Sequence, residues 1–128
     1  MNHYRKGYVG ELQLVHELYK RGYMAIRAPR SGRISIASPD IVAAKNGKLI
    51  VIECKSRRNG FSVIIDQLKE LEEWQEKAAA IAFVAWKIPR KGWTFLRLQD
   101  VIDNGGNVGK KFAQEKGFPI DNLPQMLI

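Results

Sequence analysis

The dipeptide Asn46-Gly47 constrains this chain more than any other two residues. Asn and Gly both tolerate the positive φ of a two-residue type I′ turn. On either side lie apolar, β-branched runs, within the stretch Pro39 to Lys55. A hairpin bent there sets Ala44 opposite Leu49, Val42 opposite Val51 and Asp40 opposite Glu53. Directly opposed residues hold their Cβ atoms about 5 Å apart on one face. Side chains alternate along a strand, so Lys55 shares the face of Glu53 while Cys54 points away. Two acids and a lysine therefore converge at one end of the hairpin.

Carboxylates so close repel unless a cation or a shared proton lies between them. Hard oxygen ligands suit Mg²⁺, which keeps several of its waters. Such a metal lowers the pKa of a bound water, and a neighbouring lysine can position that water or steady developing charge. The alternative makes Asp40 a turn acid after Pro39, and Glu53 with Lys55 an exposed edge pair. Against it, both runs are apolar on both faces, as in a buried strand. Charges closing such a strand are unusual unless paired or used.

A length of 128 residues gives one ordinary domain with a single core. The 45 % hydrophobic content argues against disorder, and a net charge of +8 favours a polyanionic partner over a merely soluble basic surface. One cysteine excludes an internal disulfide framework and fits a reducing cytoplasm. No apolar run approaches the roughly 18 residues of a membrane span, and no apolar segment follows the charged N-terminus as in a signal peptide. The two histidines have no ligand spacing, so zinc is not expected.

Taken in order, the sequence predicts a helix from about Arg5 or Tyr8 to Arg21, closed by Gly22 in the left-handed conformation. Leu14, Val15 and Leu18 form its apolar stripe, and Glu11 falls on that stripe. An acid there is either a helix-start residue favoured by the dipole or one with a buried partner or task. Tyr23–Ala28 reads as a strand. The loop Pro29–Pro39 follows, with Arg27, Arg30 and Arg33 in or beside it and Ser31 within it, either a solvated loop or a phosphate contact. After the hairpin, Ser56-Arg57-Arg58-Asn59-Gly60 is a basic turn, and Phe61–Ile64 a short strand.

A second helix runs from about Ile65 to Ala79 or Ala80, with Gln67, Leu71, Trp74 and Ala78 on one face. Gln67 is either a hydrogen-bond partner for the Lys55 end of the hairpin or a satisfied boundary amide. Ile81–Lys87 is a strand buried on both faces, Pro89–Gly92 a turn, Trp93–Leu98 the last strand and Gln99–Asp103 a short helix. The tail beyond Asn104-Gly105-Gly106 reads as mostly irregular. Its apolar end suggests docking on the core or on a second subunit.

The ordered set Arg5-Lys6-Gly7-x-x-x-Glu11, Arg30-Ser31-Gly32, Pro39-Asp40 and Glu53-Cys54-Lys55-Ser56 resembles the archaeal Holliday junction resolvases, within the wider PD-(D/E)xK nuclease group. The acid-x-Lys motif alone is unspecific; the full set in so short a chain is specific. The likeness covers nearly the whole chain. It implies an α/β fold with a restriction-endonuclease-like mixed β-sheet flanked by α-helices, a single nuclease domain over residues 1–128, a homodimer, and Mg²⁺-dependent cutting of four-way DNA junctions. By motif position, Glu11, Asp40 and Glu53 become the acidic site residues and metal ligands, and Lys55 the catalytic lysine. Ser31 matches a serine important for cleavage, and Arg5, Lys6 and Arg30 match basic residues that support DNA binding.

One departure is Leu12, where many members carry an arginine; Arg33 or Arg57 are the candidates to compensate. Arg58 and Gln67 complete the expected DNA-facing set. The expectation is a junction-resolving endonuclease. The alternatives are a nuclease of the same fold acting on duplex, nicked or flap DNA, and a non-catalytic basic DNA-binding protein.

Overall fold

A computed structural model describes the backbone of residues 3–28 and 36–127, with side chains from Gly7 onward. Helix α1 (His3–Lys20) begins the chain. It stops because Gly22 takes φ +92°, while Gly22 N bonds Tyr19 O and Tyr23 N bonds Leu18 O. That paired closure is a glycine C-cap of the Schellman kind. Strand β1 (Met24–Arg27) returns along α1.

Strands β2 (Ile41–Lys45) and β3 (Lys48–Ser56) are the hairpin, with Asn46 at φ +51° and Gly47 at φ +77° between them. The register runs Ala44 to Leu49, Val42 to Val51 and Ile41 to Ile52, as the turn chemistry predicts. Next come β4 (Phe61–Ser62), α2 (Ile65–Ala78), β5 (Ile81–Lys87) and β6 (Trp93–Arg97). The C-terminal part holds α3 (Leu98–Asp103), β7 (Asn107–Val108), α4 (Lys110–Lys116), β8 (Phe118–Pro119) and a 3₁₀ helix (Ile120–Leu127).

The main sheet has the order β1-β2-β3-β5-β6-β8, and β4 pairs with β7 separately. Only β3 and β5 are parallel, because α2 forms the crossover between them. Alternation along β3 and β5 then sorts the core into two layers. Ile50, Ile52, Phe83 and Ala85 pack under α1 with Leu14 and Leu18. Val51, Ala82, Val84 and Trp86 pack under α2 with Leu68 and Leu71. The fold is a mixed sheet flanked by helices, as expected. Among the described residues no helix is long and apolar enough to cross a membrane.

Two expectations are corrected. Ala78 leaves the buried face of α2, which Leu68 joins instead; Ala79 at φ +53° turns the chain out just beyond. The tail is ordered rather than irregular. Phe118 stacks on Phe95 with centroids 6.0 Å apart and meets Phe83 edge-on at 5.8 Å, while Leu123 and Leu127 are buried in the α1-side core. The apolar end therefore docks on the domain's own core.

At the pole holding the Asn46-Gly47 turn, three segments are tied together. Arg21 bonds Glu17 at 2.9 Å and Asp121 at 2.8 Å, and its carbonyl accepts from Lys45 Nζ at 2.8 Å.

Candidate active site

At the opposite pole stand the only charged residues that are buried among those described: Glu11, Asp40 and Glu53, each 5–6 % exposed. Buried carboxylates are costly and need partners or a function. Asp40 lies one residue before β2, so the hairpin register brings it opposite Glu53. Its Oδ2 accepts the backbone N–H of Cys54 at 2.8 Å, which fixes the carboxylate against β3. Glu53 shares the α2-side face of β3 with Val51.

Gln67, in the first turns of α2, reaches that face. Its Nε2 donates to Glu53 Oε2 at 3.1 Å, and its Oε1 accepts from Lys55 Nζ at 3.3 Å. Lys55 Nζ is also 3.8 Å from Glu53 Oε2. The amide is therefore a bridge between acid and lysine.

Glu11 arrives from the other side of the sheet, on α1. Arg27, closing β1, donates from Nε to Glu11 Oε1 at 2.8 Å, and its guanidinium lies 4.4 Å from the centre of the Tyr8 ring. Gly10 lets α1 come this close: a Cβ there would stand 2.8 Å from Ser56 Oγ and 3.5 Å from the Trp93 ring. Together these groups border a cleft of about 300 Å³, lined by Tyr8, Glu11, Arg27, Glu53, Lys55 and Gln67, with Ser56 and Arg57 at its margin.

Of the residues predicted from sequence, Glu11, Glu53, Lys55, Gln67 and Arg57 meet at this cleft. Asp40 stands behind it on the Cys54 amide, and Arg58 is exposed beside it without lining it. Arg5 and Lys6 fall in the first turns of α1, with side chains outside the described set. Arg30, Ser31 and Arg33 lie outside the described residues. Gln67, expected among the DNA contacts, has its amide engaged inside the site. Sequence reasoning placed Arg27 only beside the basic loop; nothing local marks it as the partner of an acid 16 residues earlier.

Among the described residues no three His, Cys, Asp or Glu side chains converge as a ready cluster of metal ligands. The donor chemistry nevertheless fits a hard divalent cation. The buried acids supply carboxylate oxygens, the hard donors that such an ion takes.

Residues 2–126 match the family model described as archaeal Holliday junction resolvase (Hjc). The crossover junction endodeoxyribonuclease Hjc of Sulfolobus acidocaldarius is 34 % identical, aligned over 96 % of this chain and 89 % of its own length. The enzyme of the same name from Archaeoglobus fulgidus is 37 % identical over 73 % of this chain and 70 % of its own. The solved structure of A. fulgidus Hjc, a Holliday junction resolvase from an archaeal hyperthermophile, superposes with a TM-score of 0.83 at 29 % identity, covering 91 % of this chain and 98 % of that one.

Proposed function

The chain belongs to the archaeal Holliday junction resolvase family, and from that premise we propose that it is a structure-selective endonuclease that resolves four-way DNA junctions by metal-dependent phosphodiester hydrolysis. In this reading residues 1–128 form one nuclease domain, Mg²⁺ is the metal, and a homodimer working in the cytoplasm is the active unit. The observation that supports it is a single cleft lined by the buried acids Glu11 and Glu53 together with Lys55, with buried Asp40 held on the neighbouring Cys54 amide.

Asp40 and Glu53, with Glu11 beside them, would hold the divalent ion, which when bound supplies Lewis acidity toward a phosphate oxygen and a more acidic water. The protein's own groups do the rest. Lys55 presents its ammonium group in the cleft, where it orients the attacking water and offsets charge gathering on the phosphate. Gln67 sets the spacing between Lys55 and Glu53. Arg27 aims Glu11 inward, and the Cys54 amide fixes the Asp40 carboxylate against β3.

Substrate is held mainly through phosphates. Arg5, Lys6, Arg30, Arg33, Arg57 and Arg58 supply cations around the cleft, and Ser31 a hydroxyl at the scissile strand. Each phosphate neutralised releases bound counterions, so affinity falls steeply with salt. Shape is read rather than base sequence, because a junction differs from a duplex in its phosphate layout. A twofold dimer supplies two sites for two strands.

The test is cleavage of a synthetic four-way junction, compared with linear duplex, with Mg²⁺ and with chelator. Asp40→Asn keeps an oxygen for the Cys54 amide but loses the charge. It should cut about 10³-fold more slowly, matching several kcal/mol of lost charge stabilisation, while binding the junction as before. Wild-type cutting by Asp40→Asn refutes the site; duplex cut as well as junction refutes the selectivity.

A further inference from the structure

Residues 54–65, 77–99 and 104–114 carry no acid. The fold gathers six of their cations, Arg57, Lys87, Arg90, Lys91, Lys110 and Lys111, into one ridge that starts at the cleft margin. Arg57 borders the cleft, and its backbone N–H donates to Lys87 O at 3.1 Å. Lys87 Nζ in turn bonds Lys91 O at 3.2 Å. Lys91 and Lys110 both line a second cleft of about 330 Å³, floored by Trp93 and Thr94. Lys111 follows Lys110, both exposed. The Trp93 ring also lies beside Gly10 of α1, the neighbour of Glu11.

None of Arg57, Lys87, Arg90, Lys91, Lys110 and Lys111 makes an ion pair among the described residues. Two observations set this ridge apart from an ordinary solvated surface. Arg90 sits at the β5–β6 tip with φ +65°, a conformation side-chain-bearing residues rarely adopt. Lys110 and Lys111 occupy the first turn of α4, where positive charge opposes the helix dipole and no acid offsets it. Local conflicts of this kind collect where side chains are kept for use.

We propose that this ridge, running from Arg57 across the β5–β6 tip to Lys110 and Lys111, is the track for the backbone of a duplex arm leaving the active site. The inference rests on the resolvase reading and adds a surface to it. From β3 across β5 to β6, against which α4 packs, the ridge crosses two strand spacings, about 10 Å. At about 3.4 Å per phosphate along one strand, it meets roughly three consecutive phosphates of that arm.

The experiment pairs the variant Lys91→Ala/Lys110→Ala/Lys111→Ala with junctions carrying blocks of three uncharged methylphosphonates, moved stepwise along each arm. These exposed side chains hold no hydrogen bond among the described residues, so the variant should melt with the wild type. Junction affinity is read in chelator across salt concentrations. Removing three phosphate contacts should lower the log–log salt slope by about 2.7, so the wild-type advantage shrinks roughly 40-fold between 50 and 200 mM salt. At one block position, wild-type binding should fall to that of the variant, and the variant should ignore the block. An unchanged slope, or additive losses at every block position, overturns the ridge. Metal-dependent junction cutting by the wild type is scored separately: cutting with an unchanged slope removes the ridge alone, and a reduced slope without cutting supports the ridge and removes the resolvase reading.

Discussion

Gln67→Met tests the bridge at the centre of the site. Methionine approximates glutamine in length and volume but can neither donate to Glu53 nor accept from Lys55 in kind. The bond to the carboxylate, at 3.1 Å, joins a neutral donor to an ionised acceptor, while the one from Lys55 is longer at 3.3 Å. Taking about 1.5 kcal/mol for the first and about 1 kcal/mol for the second gives about 2.5 kcal/mol in all. That loss is divided between folding and chemistry. About 1 kcal/mol lost from folding lowers the Tm of a 128-residue domain by about 4 °C. The remaining 1.5 kcal/mol or so, expressed in the transition state, slows single-turnover cleavage by about tenfold.

The assays are a circular-dichroism melt in chelator, single-turnover cutting of a four-way junction at saturating protein, and junction affinity by fluorescence anisotropy. The bridge predicts a slower maximal rate with unchanged affinity. Gln67→Glu, which keeps an acceptor for Lys55 but sets a second carboxylate against Glu53, should not restore the rate. A wild-type maximal rate combined with weakened junction binding would refute this reasoning. It would return Gln67 to the role the sequence suggests, a contact to DNA.

Two further variants probe the scaffold. The Tyr23 hydroxyl is buried without a hydrogen-bond partner among the described residues, so Tyr23→Phe should raise stability by about 1 kcal/mol in urea unfolding. Burial pushes the Tyr23 pKa above its ordinary 10.0, so the fold is undiminished by this group below that pH and loses stability as pH rises toward the folded value; Tyr23→Phe should flatten the alkaline decline of Tm. Glu17 is held below its ordinary 4.5 by its hydrogen bonds to Arg21 first and Lys20 next. Its contribution is therefore present above about pH 4.5 and fades as pH falls through the depressed folded value, so Glu17→Gln should make the acid limb of a Tm-against-pH curve shallower.

What the sequence made legible was local. Asn46-Gly47 fixes the hairpin register by backbone chemistry alone, and that register carries Asp40 to Glu53. Gly22 ends α1 for the same kind of reason, and the period of 3.6 placed Glu11 inward with Leu14 and Leu18. The unreadable parts depend on contacts between distant segments. Arg27 acquires meaning only when β1 lies beside α1. The tail from Lys110 lacks local signals: α4 has no side-chain cap and starts with two lysines, and the 3₁₀ helix contains Pro124. Phe118, Leu123 and Leu127 order that segment by finding a core already built. Ala78 follows the helical period but is the last residue of α2, where the left-handed Ala79 turns the chain away and the period no longer decides burial.

The tie among Arg21, Asp121 and Lys45 makes α1 a lever with its fulcrum far from the chemistry. From Arg21 back to Glu11 the rod is about 15 Å long, at 1.5 Å per residue. A tilt of about 4° at the anchored end swings Glu11 by about 1 Å, a displacement that, on the metal-ligand role proposed for Glu11, can cost a hundredfold in rate. Residues near the C-terminus thus share in aiming a carboxylate they never approach.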